Sequence, residues 1–476
     1  VFEPGLHTLL NIDSYYNKYE KVYHFAPFLE RIHQPNEVNF ANLAPFVTTS
    51  RDEDLNAIAK KEKCTFKAST SSLSGPLTML YNVLSRFRPT NADLLPSFRG
   101  APSSFTSGMH RGKCVMLRRS AVDENLWSID SFNGIDAVTP ANQILLDLGK
   151  SMEKMLVMEP ERFNSRVLSE QTIISPDERE AYNYMKYGQV VIRSQLDCAL
   201  RTETNPLDVP FVFDIKTRAI NEVRNNIRTY ESVSDLRPQH INGVVNSFER
   251  EFYDLVRTAF IKYSFQARIG SMQGMFMAYH NTLNIFGFEF ITLAEMDRYT
   301  FGGTHIAESM FKYTTALFET ICQKVVSEHF ASVAEDCKAI RLCMDQAFNA
   351  KDNIIIVYAV PMKEDPGWKE KGGSGSANDT EGDSSEEMEA MSPNEREQYI
   401  RRSLHDTSKN GEVYQYLMQI DVYVNGRYID PFTEYLHFNE NDRVDVTYKW
   451  KFVESSRQNP ALVDAYVNSL ISVMFL

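Results

Sequence analysis

Residues 211–218 read Phe-Val-Phe-Asp-Ile-Lys-Thr-Arg. Side chains on a strand alternate between its two faces, so Phe211, Phe213, Ile215 and Thr217 share one side while Val212, Asp214, Lys216 and Arg218 share the other. One face is built to pack and the other carries charge. The upstream stretch VVIRSQLD, ending at Asp197, divides in the same way, with Val190, Ile192, Ser194 and Leu196 set against Arg193, Gln195 and Asp197. The connecting CALRTETNPLD is long enough for a hairpin reversal. Such a reversal lays the two charged faces side by side.

Two carboxylates and a lysine on one sheet face suit phosphodiester hydrolysis. That reaction needs a divalent cation, an activated water and neutralisation of the charge that builds on the phosphoryl oxygens. Mg²⁺ is held by one or two carboxylates, with waters and phosphate oxygens completing its shell. Asp197 and Asp214 can share one ion, the carbonyl of Ile215 is a further oxygen donor, and Lys216 lies ~7 Å along the strand from Asp214. A D-x-K triplet alone is cheap: Asp336-Cys337-Lys338 matches too, in a stretch, VAEDCKAIRLC, read as helix with no partner strand. Context therefore carries the Asp214 reading, and a surface ion pair between Asp214 and Lys216 is its bland alternative. Glu153 is the candidate third acid. It flanks the apolar stripe Ile144, Leu145, Leu148, Met152, Met155 and Leu156 of a helix expected over 141–158, where a salt bridge to Lys150 would be the ordinary use.

The net charge of −13 argues against a nucleic-acid enzyme until it is located. Seven of the acids lie between Gly372 and Glu395 with no Lys or Arg among them, in a segment with almost no large apolar side chains. This reads as a solvated insert that builds no core. Local basic clusters matter more, and two stand out: Lys216, Arg218, Arg224 and Arg228, and Arg111, Lys113, Arg118 and Arg119. Either is explained as well by a solvated face as by a phosphate track. Six cysteines without a CxxC pair or zinc spacing read as reduced thiols. No apolar run nears the ~18 residues of a membrane span, so a chain without an integral membrane segment is expected. The chain opens at Val1, and VFEPGLHTLLNIDSYY does not look like a transit peptide, so any targeting segment is read as lying outside it.

The first hundred or so residues read as an irregular α+β layer. Strands are expected at KCVMLRR, LWSID, GMFMAYHN, FGFEFITL, NIIIVYAVP, YLMQIDVYVNG and RVDVTYKW. Further helices are expected at 247–268, at 305–330 and over NPALVDAYVNSLISVMF. On the 247–268 helix, Phe248, Phe252, Leu255, Val256, Ala259, Phe260 and Tyr263 form the buried stripe, while Lys262 and Gln266 pair at i,i+4 away from its centre.

This order of helix with Glu153, strand with Asp197, strand with Asp214-Ile215-Lys216 and amphipathic helix resembles the PD-(D/E)XK nuclease superfamily. Within it, STSSLSGPL (69–77), LGKSMEKML (148–156), RSQLDC (193–198), FDIKTRA (213–219) and EREFYDLVRTAFIKYSFQARIGSMQGMF (249–276) resemble the fungal mitochondrial RNA-processing and RNA-degradation family. The resemblance implies an α/β (α+β) fold: a restriction-endonuclease-like core at 121–362, its mixed sheet flanked by helices. An N-terminal α+β region at 1–120, the acidic insert at 372–395 and C-terminal strands and helix at 396–476 surround it. It also implies a mitochondrial matrix exoribonuclease that degrades single-stranded RNA from its 5′ end with Mg²⁺ or Mn²⁺, and the mitochondrial RNA polymerase as a partner. By position, Glu153, Asp197, Asp214 and Lys216 become catalytic. Glu153, Asp197, Asp214 and Ile215 become the metal set, and Arg193, Gln195, Arg218, Lys262, Gln266 and Arg268 become RNA contacts. RecB-like relatives carry Q-x-x-x-Y on the last helix, whereas Gln266 is followed four residues on by Gly270. Phosphate contact is therefore the role expected of Gln266. A nuclease-fold RNA-binding factor with little or no activity, acting with the polymerase, is the alternative.

Overall fold

A computed structural model describes residues 27–132 except 45 and 122, 140–171, 180–200, 211–333, 337–346, 353–362, 393–405 and 411–474 except 432, together with short strands at 7–8, 15–17 and 22–24. The acidic insert up to residue 392, the connection 201–210 and Asp336 lie outside the described residues.

Two mixed sheets organise the chain. The larger has ten strands, in the order β16 (Arg427–Tyr428), β15 (Tyr414–Val424), β14 (Ile354–Met362), β13 (Ala339–Gln346), β5 (Lys113–Arg119), β6 (Trp127–Ser131), β4 (Phe66–Ser69), β8 (Val190–Leu196) and β7 (Ala181–Tyr187), with β17 (Val444–Ser455) alongside β15. The smaller runs β1 (His7–Thr8), β9 (Cys198–Leu200), β10 (Phe211–Ala219), β11 (Gly274–His280) and β12 (Ile285–Thr292). A separate ribbon pairs β2 (Tyr15–Asn17) with β3 (Val22–His24). The fold is the mixed α/β class expected, with helices covering the sheets. The regions divided in the sequence at 120 and 396 share one sheet, because β5 lies between β13 and β6, β4 lies between β6 and β8, and β15 continues the sheet beyond β14.

The helices fill the space between and outside the sheets. α1 (Thr70–Leu84) is buried along almost its whole length and packs on the large sheet with α5 (Thr304–Val333). α2 (Pro140–Val157) lays Leu148, Met152, Met155 and Leu156 on the small sheet against Phe213, Ile215 and Cys198. α6 (Ala461–Met474) covers the opposite face of the large sheet.

The long helix expected at 247–268 is two helices, α3 (Phe248–Thr258) and α4 (Phe260–Gly270), broken at Ala259, whose φ of −132° leaves the helical region. The break has a packing cause. α4 sends Ile261, Phe265 and Ile269 into the core of the large sheet, and Phe260 and Ala267 into the core shared with α3 and the small sheet. A helix wedged between two cores needs apolar residues on more than one side, and it cannot continue the single stripe of α3.

Two further expectations are corrected. The stretch read as helix around Cys337–Cys343 is strand β13 from Ala339 onward, paired on both sides by β5 and β14. It is central and buried on both faces, so its apolar residues form a near-continuous run instead of alternating. Strand β8 does not lie beside β10. It belongs to the large sheet, and the chain crosses to the small sheet at Asp197, between the end of β8 and the start of β9. The reversal onto β10 is made by β9, where Cys198 faces Phe213 in antiparallel register. Asp197 and Asp214, each one residue further along, are thereby brought opposite one another.

Candidate active site

The site forms where the two sheets part. Asp197 occupies the crossing, Asp214 and Lys216 project from β10, Glu153 comes from α2, and Gln266 comes from the wedge helix α4. Close approach of α2 to β10 depends on Gly149: a Cβ there would lie 3.2 Å from Thr217 Oγ1. Glu153 follows one helical turn later on the same face, which aims it at the strand. Lys150 does not pair with Glu153; it lies 3.6 Å from Asp147.

Asp214 is only 1% exposed. Its Oδ1 accepts from Gln266 Nε2 at 2.8 Å, and its Oδ2 meets the Lys216 ammonium. Oδ2 has no well-oriented hydrogen bond, so the contact with Lys216 is a charge contact first. The surface ion pair offered as the bland alternative is in fact a buried one. Asp197 Oδ2 accepts from the Ile215 N–H at 2.9 Å, and the Ile215 carbonyl faces Lys216 Nζ at 3.3 Å.

The electrostatics are those of crowded carboxylates. Burial first, then the charge of Asp214, hold the Asp197 carboxyl well above the usual carboxylate range, against the pull of Lys216 and of the Ile215 N–H. Burial and then the charge of Asp197 push Glu153 up to about 8, opposed by Lys216 and Lys154. Burial works to lower the pKa of Lys216, but Asp214, Asp197 and Glu153 outweigh it and the net shift is upward. The acids outnumber the cations that answer them, and a divalent cation would relieve that excess. The donor set is hard oxygen from two carboxylates set opposite one another, with a third acid nearby. It fits an ion such as Mg²⁺ or Mn²⁺, which takes few protein carboxylates and keeps water. Among the described residues no group of three or more His, Cys, Asp or Glu side chains is assembled closely enough to form an all-protein cage.

The structure adds one acid that the sequence reading did not single out. Glu180, one residue before β7, takes Lys154 Nζ at 3.1 Å and Gln195 Nε2 at 3.3 Å, tying α2 to the face of β8 that leads to Asp197. Nothing in its local pattern separates it from the neighbouring acids. Gln266 contacts Asp214 directly instead of facing only a phosphate path. The missing tyrosine four residues on also has a cause: a Cβ at Gly270 would lie 2.5 Å from Met272 Cε and 3.0 Å from Ser194 Oγ, so the next turn of chain and β8 together crowd that position.

The other expected RNA contacts divide into two groups. Arg193 is 4% exposed and is held by Asp52, by the Val47 carbonyl at 2.7 Å and by the ring of Tyr182. Arg218 pairs with Glu251 at 3.4 Å, and Arg268 with the fully buried Asp297 at 2.7 Å. All three sit in internal ion pairs. Lys262, by contrast, is exposed and stands one turn before Gln266 on α4.

A family model described as mitochondrial protein Pet127 matches residues 46–323, more than half of the chain. The chain belongs to the Pet127 family. The mRNA degradation protein pet127 of Schizosaccharomyces pombe is 34% identical over 310 residues, covering 64% of this chain and 58% of that protein. PET127 of Saccharomyces cerevisiae, whose name ties it to the mitochondrial translation system, is 30% identical over 312 residues, covering 61% and 36%. The chain thus spans under two thirds of the length of either relative. The Pet127 family and both relatives are mitochondrial by name, in line with the localisation expected. Among solved structures, the chain is similar to Rai1 of Scheffersomyces stipitis, with TM-score 0.36, 11% identity and coverage of 72% of this chain and 82% of that one. It is also similar to Rai1 of Candida albicans in complex with pU5-Mn²⁺, with TM-score 0.32, 10% identity and coverage of 72% and 89%. Among the described residues no helix is long and apolar enough to cross a membrane.

Proposed function

We propose that this chain is a metal-dependent phosphodiesterase that degrades mitochondrial RNA from its 5′ end. The observation that carries the reading is the convergence of Asp197, Asp214, Lys216 and Gln266 from three separate segments onto one point. A purely structural ion pair needs only Asp214 and Lys216. The further carboxyl groups of Asp197 and Glu153, both held above their usual range, are buried ionisable groups that stability alone would select against.

Asp197 and Asp214 would hold the metal ion, with the Ile215 carbonyl beside them and Glu153 at longer range. When bound, such an ion polarises the phosphoryl group and lowers the pKa of a coordinated water. Gln266 fixes the Asp214 carboxylate by its hydrogen bond to Oδ1, leaving Oδ2 aimed at Lys216. Lys216 stays charged and places its ammonium where negative charge develops on the phosphoryl oxygens. Glu153, raised to about 8, is largely protonated at neutral pH, so it takes a proton from the attacking water only through its ionised fraction, which grows as pH rises. The name of the S. pombe relative, an mRNA degradation protein, agrees with RNA as the substrate. Incubation with 5′-labelled RNA and Mn²⁺ tests the reading: mononucleotide release from the labelled end is expected, and intact RNA would reject it.

A further inference from the structure

Glu180 stands one residue before β7, and no step of the reaction described above uses it. In the antiparallel pairing of β7 with β8, Ala181 faces Leu196 and Tyr182 faces Gln195. The same register carried one residue outward sets Glu180 level with Asp197. Residues directly opposite on an antiparallel pair share a face, and faces alternate along each strand. Glu180, Tyr182, Arg193, Gln195 and Asp197 therefore lie on one side of the sheet. The contacts agree with this placement: Glu180 Oε2 accepts from Gln195 Nε2 at 3.3 Å, and the Arg193 guanidinium lies 4.6 Å from the Tyr182 ring centroid.

The other oxygen of Glu180 reaches a different element. Oε1 takes Lys154 Nζ at 3.1 Å, with only 16% of the lysine side chain and 15% of the glutamate side chain exposed. Lys154 follows Glu153 on α2, the helix that lays Leu148, Met152 and Met155 on the small sheet. One carboxylate thus joins α2 to the end of β8 that leads into Asp197. Both of its oxygens are engaged by protein donors, so its place is outside the ligand set. An exposed ion pair contributes little to stability, but this one is largely shielded from water and its acceptor is shared with the strand of Asp197. Groups that orient a metal site from outside its ligands change metal affinity without touching the ion.

We propose that Glu180 is a positioning residue that holds the helix of Glu153 against the strand end of Asp197, and so sets the affinity of the site for a divalent cation. The inference rests on the nuclease reading, because it concerns the same metal site.

The test uses the full chain and Mn²⁺ alone, with free Mn²⁺ read by electron paramagnetic resonance and folding read by thermal melt on the same samples. The binding followed is the class that Asp214→Asn removes. Glu180→Ala should weaken it about 10–100-fold, the usual effect of losing a partner outside the ligands, while the melting temperature falls by no more than about 4 °C. Lys154→Met supplies the discriminating sign. If Glu180 and Lys154 acted only through their charges, loss of the lysine would tighten Mn²⁺ binding; if they act as a clamp, its loss weakens binding as Glu180→Ala does. Glu180→Gln keeps the volume without the charge, should lose affinity in the same direction, and takes the place of the alanine variant should that one not fold. Unchanged affinity in the Glu180 variants overturns the proposal, as does tighter binding in Lys154→Met. An Asp214→Asn protein that binds Mn²⁺ as wild type does would reject the nuclease reading, and this inference with it, so the two failures are told apart.

Discussion

Replacing Lys216 by Met separates the catalytic from the structural account of the buried pair. Methionine keeps most of the stem volume and removes the charge. Asp214 then retains one hydrogen bond, from Gln266 at 2.8 Å, and Asp197 retains the Ile215 N–H at 2.9 Å. Breaking a fully buried ion pair costs about 3–5 kcal/mol, but two features reduce that figure here. A quarter of the Lys216 side chain is exposed, so water can reach the vacated position. Asp197, already held above the usual range, can bind a proton and relieve the repulsion. The expected stability loss is therefore about 1–2 kcal/mol, small beside the ~5–15 kcal/mol of a typical fold. The expected loss of single-turnover rate at saturating RNA and Mn²⁺ is about 10²–10³, the scale for removing a preorganised charge at a developing oxyanion. A urea melt and the cleavage rate measured on the same preparation give both numbers. A rate within tenfold of wild type together with a stability loss above about 3 kcal/mol would refute the reasoning, because Lys216 would then be a structural counter-ion.

Two other predictions concern residues outside the acidic pair. Arg268→Ala should destabilise the protein by about 3 kcal/mol in a denaturant melt, because it leaves Asp297 buried without its partner, while the salt dependence of RNA binding by the folded fraction stays as in wild type. His280 is 2% exposed, its Nδ1 accepts the Thr282 N–H at 3.1 Å, and burial pushes its pKa down to about 3 from 6.5. A depressed pKa means that the unfolded chain binds the extra proton, so the contribution of His280 is full above about pH 6.5 and is lost as pH falls toward 3. By pH 5 the loss is about 2 kcal/mol, and stability in His280→Gln should vary less over that interval; equal slopes in the two proteins would contradict it.

The local alternation of β10 made Asp214 and Lys216 legible, because a half-buried strand writes its two faces directly into the sequence. The apolar stripe of α2 was legible for the same reason. What sequence could not show was coverage from outside the segment. Arg193 shares a strand face with Asp197 and was read as facing RNA, yet Asp52, 141 residues away in the chain, covers it. Strand β13 lost its alternation because both faces are buried, and its run of apolar residues imitated a helix. The break at Ala259 is set by the two cores that α4 divides, and no proline or glycine marks it. Gln266 and Glu180 join the site through tertiary contacts alone, and Gly149 becomes informative only once its neighbour is known.

The account stands most directly on whether Asp214 supports metal-dependent cleavage. The measurement is the rate of nucleotide release from 5′-monophosphate RNA as Mn²⁺ is titrated, for wild type and for Asp214→Asn, with folding of both checked by thermal melt. Asp214→Asn preserves volume and can still accept a hydrogen bond, but it removes the anionic ligand. The account predicts a saturable Mn²⁺ dependence in wild type, with no release in the absence of metal, and no measurable release by a folded Asp214→Asn protein at any Mn²⁺ concentration. Release by Asp214→Asn at the wild-type rate under saturating Mn²⁺ would contradict it.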